Sequence, residues 1–244
     1  MNNNYTNKVA LITGASRGLG QTLATFLAGR GYDLIISARG SEALSATAQA
    51  LEISGQQVIA LPGDVNDQAH RQQVVQVIQS LGRLDLLVNN ASILGPSPQP
   101  ALSDYPIETL EQVLAVNLVA PLGLIQATLP WLKQAHGLVI NISSDAAVGG
   151  YAGWGGYGAS KAALDLFSRT LANELRVDDV AVVSVDPGDM RTQMHQEAFP
   201  GEDIADRPLP DVTIPFWAWL LGQASQSISG HRFQAQAERW VIPA

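Results

Sequence analysis

Tyr157 and Lys161, four residues apart in Tyr-Gly-Ala-Ser-Lys, are the side chains of this sequence best suited to moving a proton. On a helix, positions i and i+4 share a face, so a phenol and an ammonium so spaced project side by side. A neighbouring cation favours phenolate and draws the ordinary tyrosine pKa of about 10 toward neutrality, where proton exchange with a substrate oxygen is efficient. By itself the pair is weak evidence, because Tyr-x-x-x-Lys recurs by chance and usually marks a solvated face. Ser143 and Ser144 close the apolar run Leu138-Val-Ile-Asn-Ile upstream, and a hydroxyl there can hold a substrate oxygen without carrying charge. Near the start stands Thr13-Gly-Ala-Ser-Arg-Gly-Leu-Gly20. Its glycines let the backbone turn tightly and approach a pyrophosphate, while free N–H groups at a helix start point at the negative charge. The spacing is not the familiar G-x-G-x-x-G, and alone the loop also reads as a plain glycine-rich turn.

These groups need a scaffold, and the hydrophobic pattern supplies one. Short β-branched runs predict strands at Lys8–Thr13, Asp33–Ser37, Val58–Pro62, Leu84–Asn89, Leu138–Ser143 and Val180–Asp186. Helical spacing of Leu19, Leu23, Phe26 and Leu27 predicts a helix after the first strand, ended at Gly29-Arg-Gly31. Further helices are expected at Glu42–Ser54, Asp67–Leu81, Ile107–Lys133 and Ala159–Leu175. Alternating strands and helices predict an α/β fold, a Rossmann-like, doubly wound parallel sheet with helices on both faces. No low-complexity linker divides residues 1–244, so a single dinucleotide-binding domain is expected. The proline-interrupted stretch Gln193–Pro215 reads as a long loop, a candidate substrate-binding lid. A helix from Phe216 to about Ala224 and a strand near His231–Gln234 should close the fold.

Composition narrows the function. Charged residues are 15% and hydrophobic residues 46% of the 244, ordinary for a protein with a sizeable core. The absence of cysteine excludes disulfides and thiolate chemistry, and four scattered histidines without HExxH offer no good metal site. A formal charge of −8 argues against a nucleic-acid binder. The polar start, Met1 to Lys8, has no apolar signal region, and no later stretch is expected to approach a membrane span of roughly 18 apolar residues, which makes the cytoplasm the default location.

The motifs taken together resemble the short-chain dehydrogenase/reductase family over roughly residues 7–192. Thr-Gly-x-x-x-Gly-x-Gly is the family's phosphate loop, which implies cofactor contacts from Gly14, Ser16, Arg17, Gly18, Leu19 and Gly20. The family spacing of thirteen residues before Tyr157 selects Ser144 over Ser143. Asn117, in Val113-Leu-Ala-Val-Asn-Leu118, reads on its own as a core asparagine; the resemblance makes it the holder of the water in a proton relay to the lysine. Asn117, Ser144, Tyr157 and Lys161 thus match the catalytic tetrad, with Tyr157 as general acid/base and Tyr157 and Lys161 also touching the cofactor. Leu86-Leu-Val-Asn-Asn-Ala91 is similar to the family's Asn-Asn-Ala-Gly, with Asn90 beside the adenosine and Ser92 in place of the glycine. Asp64 and Val65 match the pair that meets adenine. Asp186-Pro-Gly-Asp-Met-Arg-Thr192 is similar to the nicotinamide segment, giving Pro187, Gly188, Met190 and Thr192, although Asp189 is less typical. The C-terminal Ser229-Gly-His-Arg-Phe-Gln234 departs from the family's Gly-Gly strand end.

In NAD-preferring relatives an acidic residue stands near Ala38 and accepts from the ribose hydroxyls. Here that carboxylate is missing and Arg39 follows, with Arg17 facing the same end. Two guanidinium forks suit a 2′-phosphate, which implies NADP(H) over NAD(H). Val148, Gly149, Gly150, Tyr151 and Trp154 should line the substrate pocket with Leu94, Met194 and Phe199. The expected activity is interconversion of a small-molecule carbonyl compound and its alcohol. A non-catalytic NADP(H)-binding regulator, or an epimerase or dehydratase, are the alternatives, and the latter carry a larger C-terminal region than this chain. The resemblance also implies a homodimer or homotetramer paired through Ile107–Lys133 and Ala159–Leu175.

Overall fold

The apolar runs become strands covered on both faces, which is why they lack a polar alternation. A computed structural model describes residues 7–243; the polar start at residues 1–6 lies outside the described residues. Its strands are β1 (Val9–Thr13), β2 (Asp33–Ala38), β3 (Val58–Pro62), β4 (Leu86–Asn89), β5 (Leu138–Ile142), β6 (Ala181–Asp186) and β7 (Arg232–Gln234). They form one parallel sheet in the order β3-β2-β1-β4-β5-β6-β7. The order reverses between β1 and β4, and a crevice opens beyond the carboxyl ends of such strands.

Period-two alternation within each strand feeds two cores. Ala10, Ile12 and Ile36 point to the face covered by α1 (Gly18–Ala28), α2 (Ser41–Leu51) and α9 (Ile214–Leu220). Val9, Leu11 and Ile35 point to the face covered by α3 (Gln68–Leu81), α5 (Ala120–Ala135) and α7 (Gly155–Glu174). The ends of α3 follow local chemistry: the Asp67 carboxylate accepts from Ala69 N at 2.8 Å, and Gly82 takes φ +73° after its last turn. A cap of that kind contributes about 1 kcal/mol.

Four expectations need correction. The helix predicted over Ile107–Lys133 is α4 (Ile107–Leu114), a π-helical turn at Ala115–Val119, and α5. Within residues 107–135 an 18-residue window of mean hydropathy 1.7 also reaches the length and apolarity of a membrane-crossing helix, contrary to the expectation that no stretch approaches one. Val113, Ala120, Leu124, Ile125 and Leu132 nevertheless pack into the protein core. The segment 193–215 is not all loop. Thr192 Oγ1 accepts from His195 N at 3.2 Å and starts α8 (Gln193–Ala198), and a 3-10 turn spans Pro210–Thr213. The following helix begins at Ile214 rather than Phe216 and stops at Leu220, with a separate turn α10 at Ser225–Ile228. Trp217 is fully buried in it and donates to Thr213 Oγ1 at 2.8 Å, a packing role.

Candidate active site

Beyond the carboxyl ends of β1, β4, β5 and β6 lies a cavity of about 1290 Å³. At one end β1 runs into the glycine loop. Gly14 and Gly18 take φ +65° and +55°, which a side chain would strain. A Cβ on Gly20 would strike Gly14 O and come within 2.6 Å of Asn90 Nδ2. The loop is braced from β4: Asn90 Nδ2 donates to Thr13 O at 2.9 Å and Gly14 O at 3.1 Å, and Thr13 Oγ1 accepts from Asn90 N and Ala91 N, both at 3.0 Å. Helix α1 starts with no side-chain cap and no acidic residue in its first turn. Open N–H donors, a positive helix end and a backbone with no room for side chains fit a dinucleotide's pyrophosphate.

The other predicted cofactor residues also line this cavity. Ser16, Leu19, Asp64, Val65, Pro187, Gly188, Met190 and Thr192 are all in its wall. Asp64 Oδ1 accepts from Asn66 N at 2.8 Å, shaping the turn after β3. Gly188 takes φ +74° and its N–H donates to Asp186 Oδ1 at 3.0 Å. Ala38 is buried at the end of β2, and Arg39 is exposed in the cavity wall. Arg17 also lines this cavity, and its guanidinium bonds Gln193 of α8.

At the opposite end, α7 and the end of β5 deliver the polar groups. Tyr157 is 7% exposed, and the side chains of Ser92 and Ser144 lie beside its hydroxyl. Burial pushes this phenol well above the ordinary tyrosine range, and the two serines oppose that only in part. The sequence led us to expect Lys161 to draw this phenol toward neutrality; here loss of water acts in the opposite direction and is the largest influence on it. Ser144 Oγ donates to Asp145 Oδ1 at 3.0 Å, whereas the rival Ser143 hydroxyl is buried without a hydrogen-bond partner among the described residues.

Lys161 and Asn117 lie behind the wall rather than in it. Lys161 is 2% exposed, donates to Ile142 O at 2.7 Å, and holds its Nζ 5.5 Å from the Tyr157 ring centre. Loss of water pulls it down to about 8, an effect Asp165 opposes. Asn117 sits in the π-helical turn, accepts from Ile93 N at 2.8 Å, and donates to Ile93 O at 2.9 Å and Ser160 Oγ at 3.0 Å. Its amide ties α7 to the segment after β4.

The substrate wall is smaller than expected. Trp154, Leu94 and Met194 line the cavity, but Val148, Gly149, Gly150 and Tyr151 turn outward. Trp154 packs edge-on to Tyr157 at 5.9 Å, Phe199 backs it at 5.8 Å, and His195 stacks on Phe199 at 4.9 Å. Two groups escaped the sequence reading. Ser92, which stands where the family has a glycine, lies beside the Tyr157 hydroxyl and donates to Met194 Sδ at 3.7 Å. Arg232 reaches Ser144 O from β7 at 2.8 Å. Both fall where the sequence leaves the family pattern, the one signal that could have found them.

Known proteins share this arrangement. The short chain dehydrogenase family matches residues 8–203. A rhamnolipids-biosynthesis 3-oxoacyl-(acyl-carrier-protein) reductase of Pseudomonas aeruginosa is 37% identical over 222 residues, spanning 87% of this chain and 83% of the relative. A Shigella flexneri structure complexed with NADP superposes with a TM-score of 0.86 at 33% identity, over 94% of this chain and 97% of that one. A 3-ketoacyl-(acyl-carrier-protein) reductase from Brucella melitensis, complexed with NADH, gives 0.82 at 25% identity over 93% and 96%.

Proposed function

This chain belongs to the short chain dehydrogenase family of oxidoreductases, and from that premise we propose that it interconverts a small-molecule carbonyl compound and its alcohol with NADP(H). The observation that carries this reading is the convergence of the Tyr157 hydroxyl, Ser144 and the glycine loop on one cavity. A bound nicotinamide dinucleotide supplies or accepts the hydride. Gly14, Ser16, Gly18, Leu19 and Gly20 would hold its pyrophosphate, Asp64, Val65 and Asn90 its adenosine side, and Pro187, Gly188, Met190 and Thr192 its nicotinamide side. Arg39, exposed with no acidic residue at position 38, would meet a 2′-phosphate; Arg17 would do so after leaving Gln193.

During reduction Tyr157 gives its proton to the carbonyl oxygen and Ser144 holds that oxygen. A phenol kept protonated by burial suits the donor role. Lys161 would hold the nicotinamide ribose and stabilise the phenolate left behind. Asn117 would support the proton relay from behind by keeping Ile93 and α7 in register. Two of the relatives above are 3-oxoacyl reductases by name, so 3-oxoacyl thioesters join ketones, aldehydes and quinones as substrates to try.

Tyr157→Phe should lower turnover by about 10²–10⁴-fold, the range of acid–base groups, while leaving NADPH binding intact. Near-normal turnover in that variant would remove the proton-donor assignment. We further propose a cytoplasmic homodimer or homotetramer. Ile125 and Leu164 on these helices are buried within the subunit. Val119 and Leu166 are instead 58% and 55% exposed on the two predicted pairing helices. Light scattering that finds only a 25.9 kDa species at micromolar concentration would reject assembly.

A further inference from the structure

Arg232 gathers three acceptors that lie far apart in sequence. From Nη2 it donates to Ser144 O at 2.8 Å and to Asp186 Oδ2 at 3.2 Å, and from Nε to Asp165 Oδ2 at 3.0 Å. The side chains of Asp165 and Asp186 are only 9% and 5% exposed. A planar guanidinium presents donors from separate nitrogens, Nε and Nη2, to these three oxygens in a fixed geometry that a single ammonium nitrogen does not reproduce. Each acceptor leads to a part of the site. Asp165 follows Lys161 by four residues on α7, so the two share a helix face. Asp186 ends β6, and its second oxygen accepts from Gly188 N, setting the turn that enters the cavity wall. Ser144 carries the hydroxyl beside Tyr157.

We propose that Arg232 is a positioning residue: it fixes the Ser144 peptide and the Asp165 and Asp186 carboxylates around Tyr157 and Lys161. The proposal rests on the roles assigned above to Ser144, Tyr157 and Lys161. The charged and titratable groups of this corner are Tyr157, Lys161 and Asp165 on α7, Asp186 on β6, Asp145 after β5, and Arg232 on β7. Asp165 opposes the desolvation that lowers Lys161, and Arg232 opposes the burial that raises Asp186. Removing Asp165's charge therefore lets Lys161 lose its proton at lower pH. Removing the guanidinium lets Asp186 take up a proton at higher pH.

The test is the pH profile of kcat and kcat/KM for wild type, Arg232→Gln, Arg232→Lys and Asp165→Asn, with NADPH binding and thermal unfolding measured on each. Arg232→Gln should lower kcat by on the order of 10- to 100-fold with little change in KM, as a displaced reacting group does, and Arg232→Lys should restore it only in part. Its acid limb should move up, and the alkaline limb of Asp165→Asn should move down. Profiles that only scale, with neither limb moved, would overturn the proposal and leave Arg232 a structural tie. If Arg232→Gln does not fold, the alkaline limb of the near-isosteric Asp165→Asn decides alone. Tyr157→Phe separates the two levels. Full turnover there sinks the underlying assignment, whereas an inactive Tyr157→Phe with unmoved limbs sinks only the role of Arg232.

Discussion

At the adenosine end of the cavity, Arg39 is exposed, α1 opens uncapped, and the glycine loop lines the cavity wall. At the reacting end, Lys161 and Asn117 are 2% and 1% exposed, and their polar atoms are already bonded to Ile142, Ile93 and Ser160. The two ends thus handle charge in opposite ways. One is an open electrostatic surface whose contribution depends on ions in solution. The other is a dry network in which desolvation moves the phenol and the ammonium away from their ordinary titration ranges, in opposite directions. Affinity for the nucleotide should respond to single surface charges, and chemistry should respond to packing and buried hydrogen bonds.

The largest expected break in this contrast comes from Ala38→Asp combined with Arg39→Ala. A hydrogen bond to a charged group contributes on the order of 1.5–3 kcal/mol, so the change should cost NADPH roughly 10- to 100-fold in catalytic efficiency. The new carboxylate would repel a 2′-phosphate but accept ribose hydroxyls, so NADH should improve. Rising salt should weaken NADPH more than NADH in the wild type, since the discriminating attraction is screened. Better efficiency with NADH than with NADPH in the unmodified protein would show that the end of β2 has been misread.

A smaller effect is expected from Gly20→Ala, which tests whether the open end is rigid beneath its surface. The added methyl meets Gly14 O and Asn90 Nδ2, so the brace from β4 must shift. Overpacking of this kind costs about 1–3 kcal/mol, which should appear as a lower Tm together with weaker NADPH binding. An unchanged Tm and affinity would mean that the loop yields freely.

How much of this was legible beforehand depended on sequence separation. The loop at Thr13–Gly20 and the Tyr157–Lys161 pair are local, so spacing alone placed them on a strand–helix turn and a helix face. The strands β1 to β6 were legible because each is built around an apolar run. The π turn around Asn117 was not, because its hydrogen-bond shift leaves no mark on hydrophobic periodicity. Arg232 and Ser144 are 88 residues apart and meet only because β7 pairs with β6, which no local pattern reveals. The direction of the Tyr157 shift was missed for a related reason: a neighbouring cation can be read from i+4 spacing, but the depth of burial cannot. Turns confused the reading after Thr192, where prolines at 200, 208, 210 and 215 concealed a six-residue helix.

That helix supplies the smallest predicted effect. Gln193, Met194 and Glu197 of α8 are tied across the cavity to Arg17, Ser92 and Ser97 by single contacts. We expect residues 193–215 to act as a lid, exchanging amide hydrogen faster than the central strands and slowing when NADPH is added. Protection equal to that of β1 and β4, unchanged by NADPH, would count against a lid.

The most direct test of the whole account is to incubate the wild-type protein with NADPH and each of a panel of ketones, aldehydes, quinones and 3-oxoacyl thioesters, following NADPH loss and alcohol formation together. The account predicts at least one carbonyl class reduced with one alcohol formed per NADPH consumed. Tight NADPH binding with no reduction across the panel, and no oxidation of the matching alcohols with NADP⁺, would contradict it and favour a nucleotide-binding regulator.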